Sequence, residues 1–223
     1  MEEKREHAEV AVEWQEKADL SEMDLSGRDM AGAKLAGKRM VRTLLRRTEL
    51  TGSTVLGADM TEADCTEAQL TGSKLVGINF RKGILHRARL AGAKIVGANM
   101  ESAELPGADL TGAAILGTNL AGADLSRSNL AGATINGSNL ANANFTGADL
   151  TGAVLKRMNV AGADFTDART TDAHSRMVNW ADAKVPPATL PEEIPAPPAW
   201  IPGVIAGVLV IALIVILKKR RKA

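Results

Sequence analysis

Every fifth residue between positions 18 and 165 is apolar, with no slip in phase: Leu20, Leu25, Met30, Leu35, Met40, onward through Cys65 and Phe80 to Val160 and Phe165. Two residues before most of them stands a small one, as at Ala58, Ala63, Ala93 and Ala163. A helix repeats its apolar face every 3.6 residues and a strand every two, so a beat of five fits neither. An unbroken short repeat of this kind builds a solenoid, each turn burying its apolar residues against its neighbours. Aromatic residues are 3% of the chain and Tyr is missing, which argues against a globular core filled with large rings.

A longer period lies inside the short one. Take as a corner the second residue after each large apolar one, from position 22 to 162: of 29 corners, 18 are Gly. Glu22, Arg42, Glu62, Lys82, Ser102 and Asn142 occupy corners separated by multiples of 20, and Arg47, Glu67, Arg87 and Arg127 form a second set with the same spacing. The β-branched centres Val55, Ile95, Ile115 and Ile135 also share one 20-residue phase. One coil therefore takes four pentads, and its cross-section has four sides. Leu105-Pro106-Gly107-Ala108 carries Pro then Gly at the central positions preferred by a type II turn. The two sides whose corners lack Gly are expected to turn through a type I-like geometry that tolerates a Cβ. At ~4.8 Å per coil, thirty pentads make a rod about 36 Å long.

The strings AGADL, TGADL, ANANFTGADL and AGADF match the A(D/N)LXX motif, and on them the chain resembles the pentapeptide repeat family. The resemblance implies an all-β solenoid, a right-handed quadrilateral β-helix with the central Leu or Phe and the preceding Ala turned inward. Arg28, Lys38 and Gly83 stand where that family has Ala, and local distortion or side chains escaping at the corners is expected there. Family membership implies fold strongly and function weakly: members include DNA-mimicking gyrase inhibitors, bacterial effectors and scaffolds.

Charge narrows the function classes. The chain holds 27 Lys and Arg against 26 Asp and Glu, and five of the cations are packed into positions 218–222. So near-neutral a body is not built to bind nucleic acid. A mimic of DNA needs a dense run of carboxylates, whereas positions 20–185 hold 19 Lys and Arg against 17 Asp and Glu. His7, His86 and His174 are far apart and lack ligand spacing, so no metal or cofactor is implied. Asp109, Asn119, Asp124, Asn139 and Asp149 recur with the repeat and are expected to serve its turns rather than acid–base chemistry. An enzyme is not expected. Cys65 falls in the apolar series and reads as a core residue. The corner ladder of Arg42, Glu62 and Lys82 and that of Arg47, Glu67 and Arg87, with Arg39, Arg46, His86 and Arg89 nearby, form the candidate partner-binding surface.

The ends read differently. Positions 1–17, with Val10 and Trp14 one helical turn apart, suit a short helix capping the first coil. The repeat is placed at 18–185. Past Phe165 its content decays, Thr170 and Ser175 replacing large apolar centres, and a frayed last coil or a C-terminal cap is expected, with Trp180 over the exposed end. Positions 186–199 are Pro-rich and read as an extended spacer. Positions 200–217 are uncharged and apolar and are followed by KKRRK, the pattern of a single membrane helix with Trp200 at one interface and a basic tail, 218–223, at the other. Gly203 and Gly207 form a GxxxG spacing for pairing two copies. The positive-inside rule would put the rod outside the cytosol. No secretory signal is recognised at the start of the sequence, and this weighs towards a cytosolic rod on a tail anchor. The leading function is a membrane-anchored, non-enzymatic scaffold whose partners are the bilayer and an unidentified protein; the alternative is a DNA-mimic inhibitor or protector of a topoisomerase.

Overall fold

Backbone pairing repeats at intervals of 20 residues on each of four sides. Parallel bridges join Asp19 to Arg39, Asp24 to Leu44, Asp29 to Glu49 and Lys34 to Thr54, and each series continues along the chain. The structure, a computed structural model, describes residues 14–195. It is an all-β parallel solenoid of about seven turns. We number the sides by their first buried centres: side 1 from Leu20, side 2 from Leu25, side 3 from Met30 and side 4 from Leu35.

Side 4 differs from the rest. Its pairs widen into three-residue strands, β1 (Thr54–Leu56), β2 (Lys74–Val76), β3 (Lys94–Val96), β4 (Ala114–Leu116), β5 (Thr134–Asn136), β6 (Val154–Lys156) and β7 (His174–Arg176). A short β8 (Glu192–Glu193) completes a parallel sheet ordered β1 to β8. This is the side on which Val55, Ile95, Ile115 and Ile135 are the centres. Branching at Cβ favours extended backbone, so the residues that share this 20-residue phase lie on the one side that is a continuous sheet.

The core is a stack of centres. Leu20, Leu35, Met40, Leu45, Leu90 and Leu110 are fully buried, and so are the small residues preceding the centres, Ala63, Ala68, Ala93 and Ala108 among them. Gly83 breaks this rule for a steric reason. A Cβ built there would lie 2.2 Å from the Phe80 ring. The ring fills the space that Ala provides elsewhere, and no distortion of the coil is needed. Lys38, the second departure, is buried as well. Its ammonium donates to the carbonyls of Trp14, Gln15 and Lys17, the exposed end of a helical turn at 14–16. Cations favour the carbonyl end of a helix, so a lysine reaching out of the first coils fastens the cap on which Trp14 is also buried.

The corners overturn one expectation. Every corner from 22 to 177 has positive φ, between +51° and +70°, including fourteen residues that are not Gly. The charged corners Arg42, Glu62, Lys82, Arg47, Glu67 and Arg87 lie in the same left-handed region as the glycines, not in a type I geometry. Sides 1 to 3 close each corner with a bond from the amide three residues on to the centre's carbonyl, as in Ala33 to Met30 (3.0 Å) and Ala108 to Leu105 (3.1 Å). That is the type II turn expected at Pro106-Gly107, used on three of the four sides. A side chain is tolerated because the corner opens outward: at Gly27, Gly52 or Gly92 an added Cβ meets nothing within 4 Å.

At the C-terminal end the cap forms rather than a frayed coil. Phe145 and Phe165 stack at 4.8 Å, and Trp180, in a 3-10 turn (Trp180–Asp182), closes edge-on against Phe165 at 5.4 Å. Thr170 and Ser175 are buried, and their hydroxyls donate to the carbonyls of Thr189 and Pro191. The Pro-rich segment therefore does not begin as a spacer at 186. Pro187 and Pro191 are buried and β8 pairs with β7, so the hydroxyls that replace apolar centres are what hold this strap across the end. The rod accordingly belongs to a unit ending at Glu193, and Ile194–Ala223 form a second. Positions 1–13 of the expected cap, the expected membrane helix at 200–217 with Gly203 and Gly207, and the basic tail lie outside the described residues. Among the described residues no helix is long and apolar enough to cross a membrane.

Two outcomes follow. Gly83→Ala forces Phe80 from its place and lowers stability by about 1–3 kcal/mol, and adding Phe80→Leu restores most of the loss, read from denaturation midpoints. The Asp164 carboxyl accepts from the Thr166 hydroxyl and amide and from Lys184 Nζ, and these hold its pKa down to about 2. A group depressed on folding stabilises above its unfolded pKa of ~4 and loses that contribution as pH falls towards the folded value. The Lys184 tie of the C-terminal cap is expected to loosen between about pH 4 and pH 2, with faster amide exchange at 182–185 and a change in Trp180 fluorescence; Asp164→Asn abolishes this pH dependence.

Candidate interaction surface

The predicted residues occupy two neighbouring edges. Arg42, Glu62 and Lys82 lie on the edge between sides 1 and 2, and Arg47, Glu67 and Arg87 on the edge between sides 2 and 3. Coil stacking sets opposite charges against each other. Arg42 bonds Glu22 one coil below, and Arg47 Nε donates to Glu67 Oε2 at 2.7 Å. Arg47, then Arg87, holds the Glu67 carboxyl below the usual range. Lys82 makes no side-chain hydrogen bond or ion pair with another described residue. Arg46 turns across side 2 to Asp64, Nε to Oδ2 at 2.6 Å.

Asp64 was missed by corner arithmetic because it lies one residue before a centre, not two after. Burial pushes its carboxyl upward, but the hydroxyl and amide of Thr66 and the guanidinium of Arg46 outweigh this and hold it low. His86 Nε2 lies 2.7 Å from Glu104 Oε2, the same offset of 18 residues that joins Arg46 to Asp64. That spacing is the signal that finds both.

Two grooves open along this edge. Gly107 puts no side chain between Arg87 and Arg127, leaving a groove of about 640 Å³ whose floor includes Pro106, Asp124 and Ser126. A second, of about 450 Å³, lies between Arg47, Glu67, Gln69, Arg87 and Arg89. Glu67 and Arg87 line both. The grooves are shallow and charged, suited to side chains of a protein surface more than to an enclosed small molecule.

The regular Asp and Asn residues are engaged in the fold. Asp109, Asn119, Asp124, Asn139 and Asp149 each accept from the backbone amide two residues on. Along side 1, Asn79, Asn99, Asn119, Asn139 and Asn159 each donate Nδ2 to the Oδ1 of the residue one coil before, starting from Asp59. Burial pushes the Cys65 thiol up, which leaves it neutral and inert. Among the described residues no cluster of His, Cys, Asp and Glu could hold a metal ion.

Four sides, one left-handed residue per side and a core of stacked centres define a parallel β-solenoid built from five-residue units. The family described as pentapeptide repeats matches in eight copies, with matched residues that include 63–101, 84–124, 108–147 and 128–167. The chain belongs to the pentapeptide repeat family. Among solved structures, a trypsin-treated form of QnrB1, a plasmid-mediated fluoroquinolone resistance protein, aligns with a TM-score of 0.56 at 16% identity, over 79% of this chain and 90% of that one. HetL from the cyanobacterium Nostoc sp. strain PCC 7120, involved in heterocyst differentiation regulation, is 28% identical over 77% of this chain and 86% of its own, with a TM-score of 0.43. No curated protein sequence matches.

The left-handed corners make one of the ladder residues testable by itself. A non-Gly residue there costs about 1–2 kcal/mol, offset in part by the greater unfolded freedom of Gly. Lys82→Gly should therefore raise stability by about 0.5–1 kcal/mol in a denaturant titration, and Lys82→Val should lower it.

Proposed function

We propose that the chain is a non-enzymatic scaffold, anchored to a membrane by positions 200–217, that presents the edge from Arg46 to Arg87 to a protein partner. The carrying observation is that edge: strained non-Gly corners, each costing stability, display Arg47, Glu67 and Arg87 around two open grooves, with Arg42 and Lys82 at corners of the neighbouring edge. The anchor rests on the sequence, whose apolar run and basic end suit a single crossing, with the rod on the cytosolic side. A DNA mimic is disfavoured by the alternation of sign, since Asp19 is followed up its ladder by Arg39, Asp59 and then Asn. QnrB1 shares the fold and on that ground alone does not bring its activity here.

The test is affinity capture by the detergent-extracted chain, comparing wild type with Arg46→Glu/Arg47→Glu/Arg87→Glu. Loss of the captured protein, with an unchanged circular dichroism spectrum, supports the edge; equal capture refutes it. Inhibition of DNA supercoiling by the purified chain would favour the topoisomerase reading instead.

A further inference from the structure

Side 4 carries a charge pattern unlike that of its neighbours. Its eight pentads, from position 33 to 177, contain Lys34, Lys74, Lys94, Lys156, Arg157 and Arg176 and no Asp or Glu. On the other sides cations meet carboxylates across coils, as in Arg39–Asp19, Arg46–Asp64, Arg81–Glu101 and Arg169–Asp149. None of the six on side 4 makes an ion pair with a described residue. The sheet register even sets like against like, Lys74 beside Lys94 and Lys156 beside Arg176. Directly opposed like charges destabilise a sheet, a cost that an external anion placed against this side relieves. The exception is its far margin, where β8 brings Glu192 within 3.6 Å of His174.

Beside the cations runs an apolar ridge. Leu56, Val76, Val96 and Leu116 are register neighbours on the outer face of β1 to β4. Leu56 is 41% exposed, and Met177 on the last corner of the same side is 65% exposed. The corners from Gly37 to Gly137 bear no side chains, and the strands lie in register, so the face is flat. Lys34 and Arg176 stand about 34 Å apart at ~4.8 Å per coil.

We infer that side 4 is a membrane-facing surface, which lays the rod lengthwise on an anionic bilayer with the Leu56–Leu116 ridge at the headgroup boundary. Cations spread along the whole length match a plane of anionic headgroups, each Lys or Arg adding attraction, and the ridge supplies the apolar contact of an interfacial element. Two copies facing through this side in antiparallel register would set Lys74 against Lys94, which disfavours a second copy as the occupant. The inference rests on the anchored reading above, which brings the rod beside a bilayer, and it leaves the grooves of sides 2 and 3 pointing away from the lipid.

The test uses the full chain with vesicles of phosphatidylcholine containing about a quarter phosphatidylglycerol. A fluorophore is placed at Val76→Cys on side 4 or at Ser126→Cys on side 2, with Cys65 too buried to label, and headgroup-bound spin-labelled lipid is the quencher. About three times more quenching at 76 than at 126 is expected, falling to equality in pure phosphatidylcholine and in Lys74→Glu/Lys94→Glu/Lys156→Glu. Equal quenching at both sites, or a difference that survives the charge reversal, overturns the inference. Flotation separates it from the anchor. A chain that floats with both vesicle types but shows no site difference keeps its anchor and loses this face. One that floats with anionic vesicles alone keeps the face and loses the anchor, and one that floats with neither loses both.

Discussion

A left-handed residue every fifth position is the constraint on which everything else in the rod depends. It turns the backbone after each buried centre, so that four centres converge on one axis and the chain arrives 20 residues later directly above its start. Only then can each amide find a carbonyl in the next coil, as Leu20 finds Arg39 and Leu45 finds Asp64. Apart from the bonds that close the corners, the coil has no other source of regular backbone bonding, and a buried backbone group without a partner is costly. Gly at eighteen corners satisfies the requirement without strain.

That same requirement explains why surface chemistry collects at the corners. A corner side chain points outward and meets at most the corner of the next coil, so beyond that contact its identity is limited chiefly by the intrinsic cost of positive φ. Arg, Glu and Lys stand there mainly on two edges, Arg157 being the exception, and on those edges coil stacking brings Arg42 to Glu22 and Arg47 to Glu67. Exposed pairs of this kind contribute roughly 0–1 kcal/mol, comparable to or smaller than the cost of the corner itself. Stability alone therefore does not account for the charged corners. The positions before the centres serve the opposite purpose: Asp and Asn there accept from the following amides and tie successive coils through the Asn ladder, which leaves them engaged in the fold.

The two ends are finished by different means. At the start a lysine replaces a small residue and reaches out to the carbonyls of a helical turn; at the finish two hydroxyls replace apolar centres and hold a proline strap, with Trp180 closed on Phe165 beneath it. Both devices look like faults in the repeat. An open solenoid end exposes apolar side chains and unpaired backbone, and the residues that break the pattern are the ones that supply donors to cover it.

The sequence by itself determined the five-residue beat, the 20-residue coil, the four sides, the odd side marked by β-branched centres and the buried place of Cys65, because all of these are fixed by local spacing against a repeating backbone. Tertiary structure alone decided what depends on the neighbouring coil. Gly83 is explained by the Phe80 ring, Lys38 by carbonyls more than twenty residues away, Asp64 by Arg46, and Thr170 and Ser175 by a strap that composition marks as a spacer. The corner geometry was also decided there: sequence alone offers type I turns for charged corners, but a coil that must bond to identical coils above and below cannot mix two turn geometries on one edge. So Arg and Glu take the glycine conformation, and the strain at those corners is set by the repeat around them.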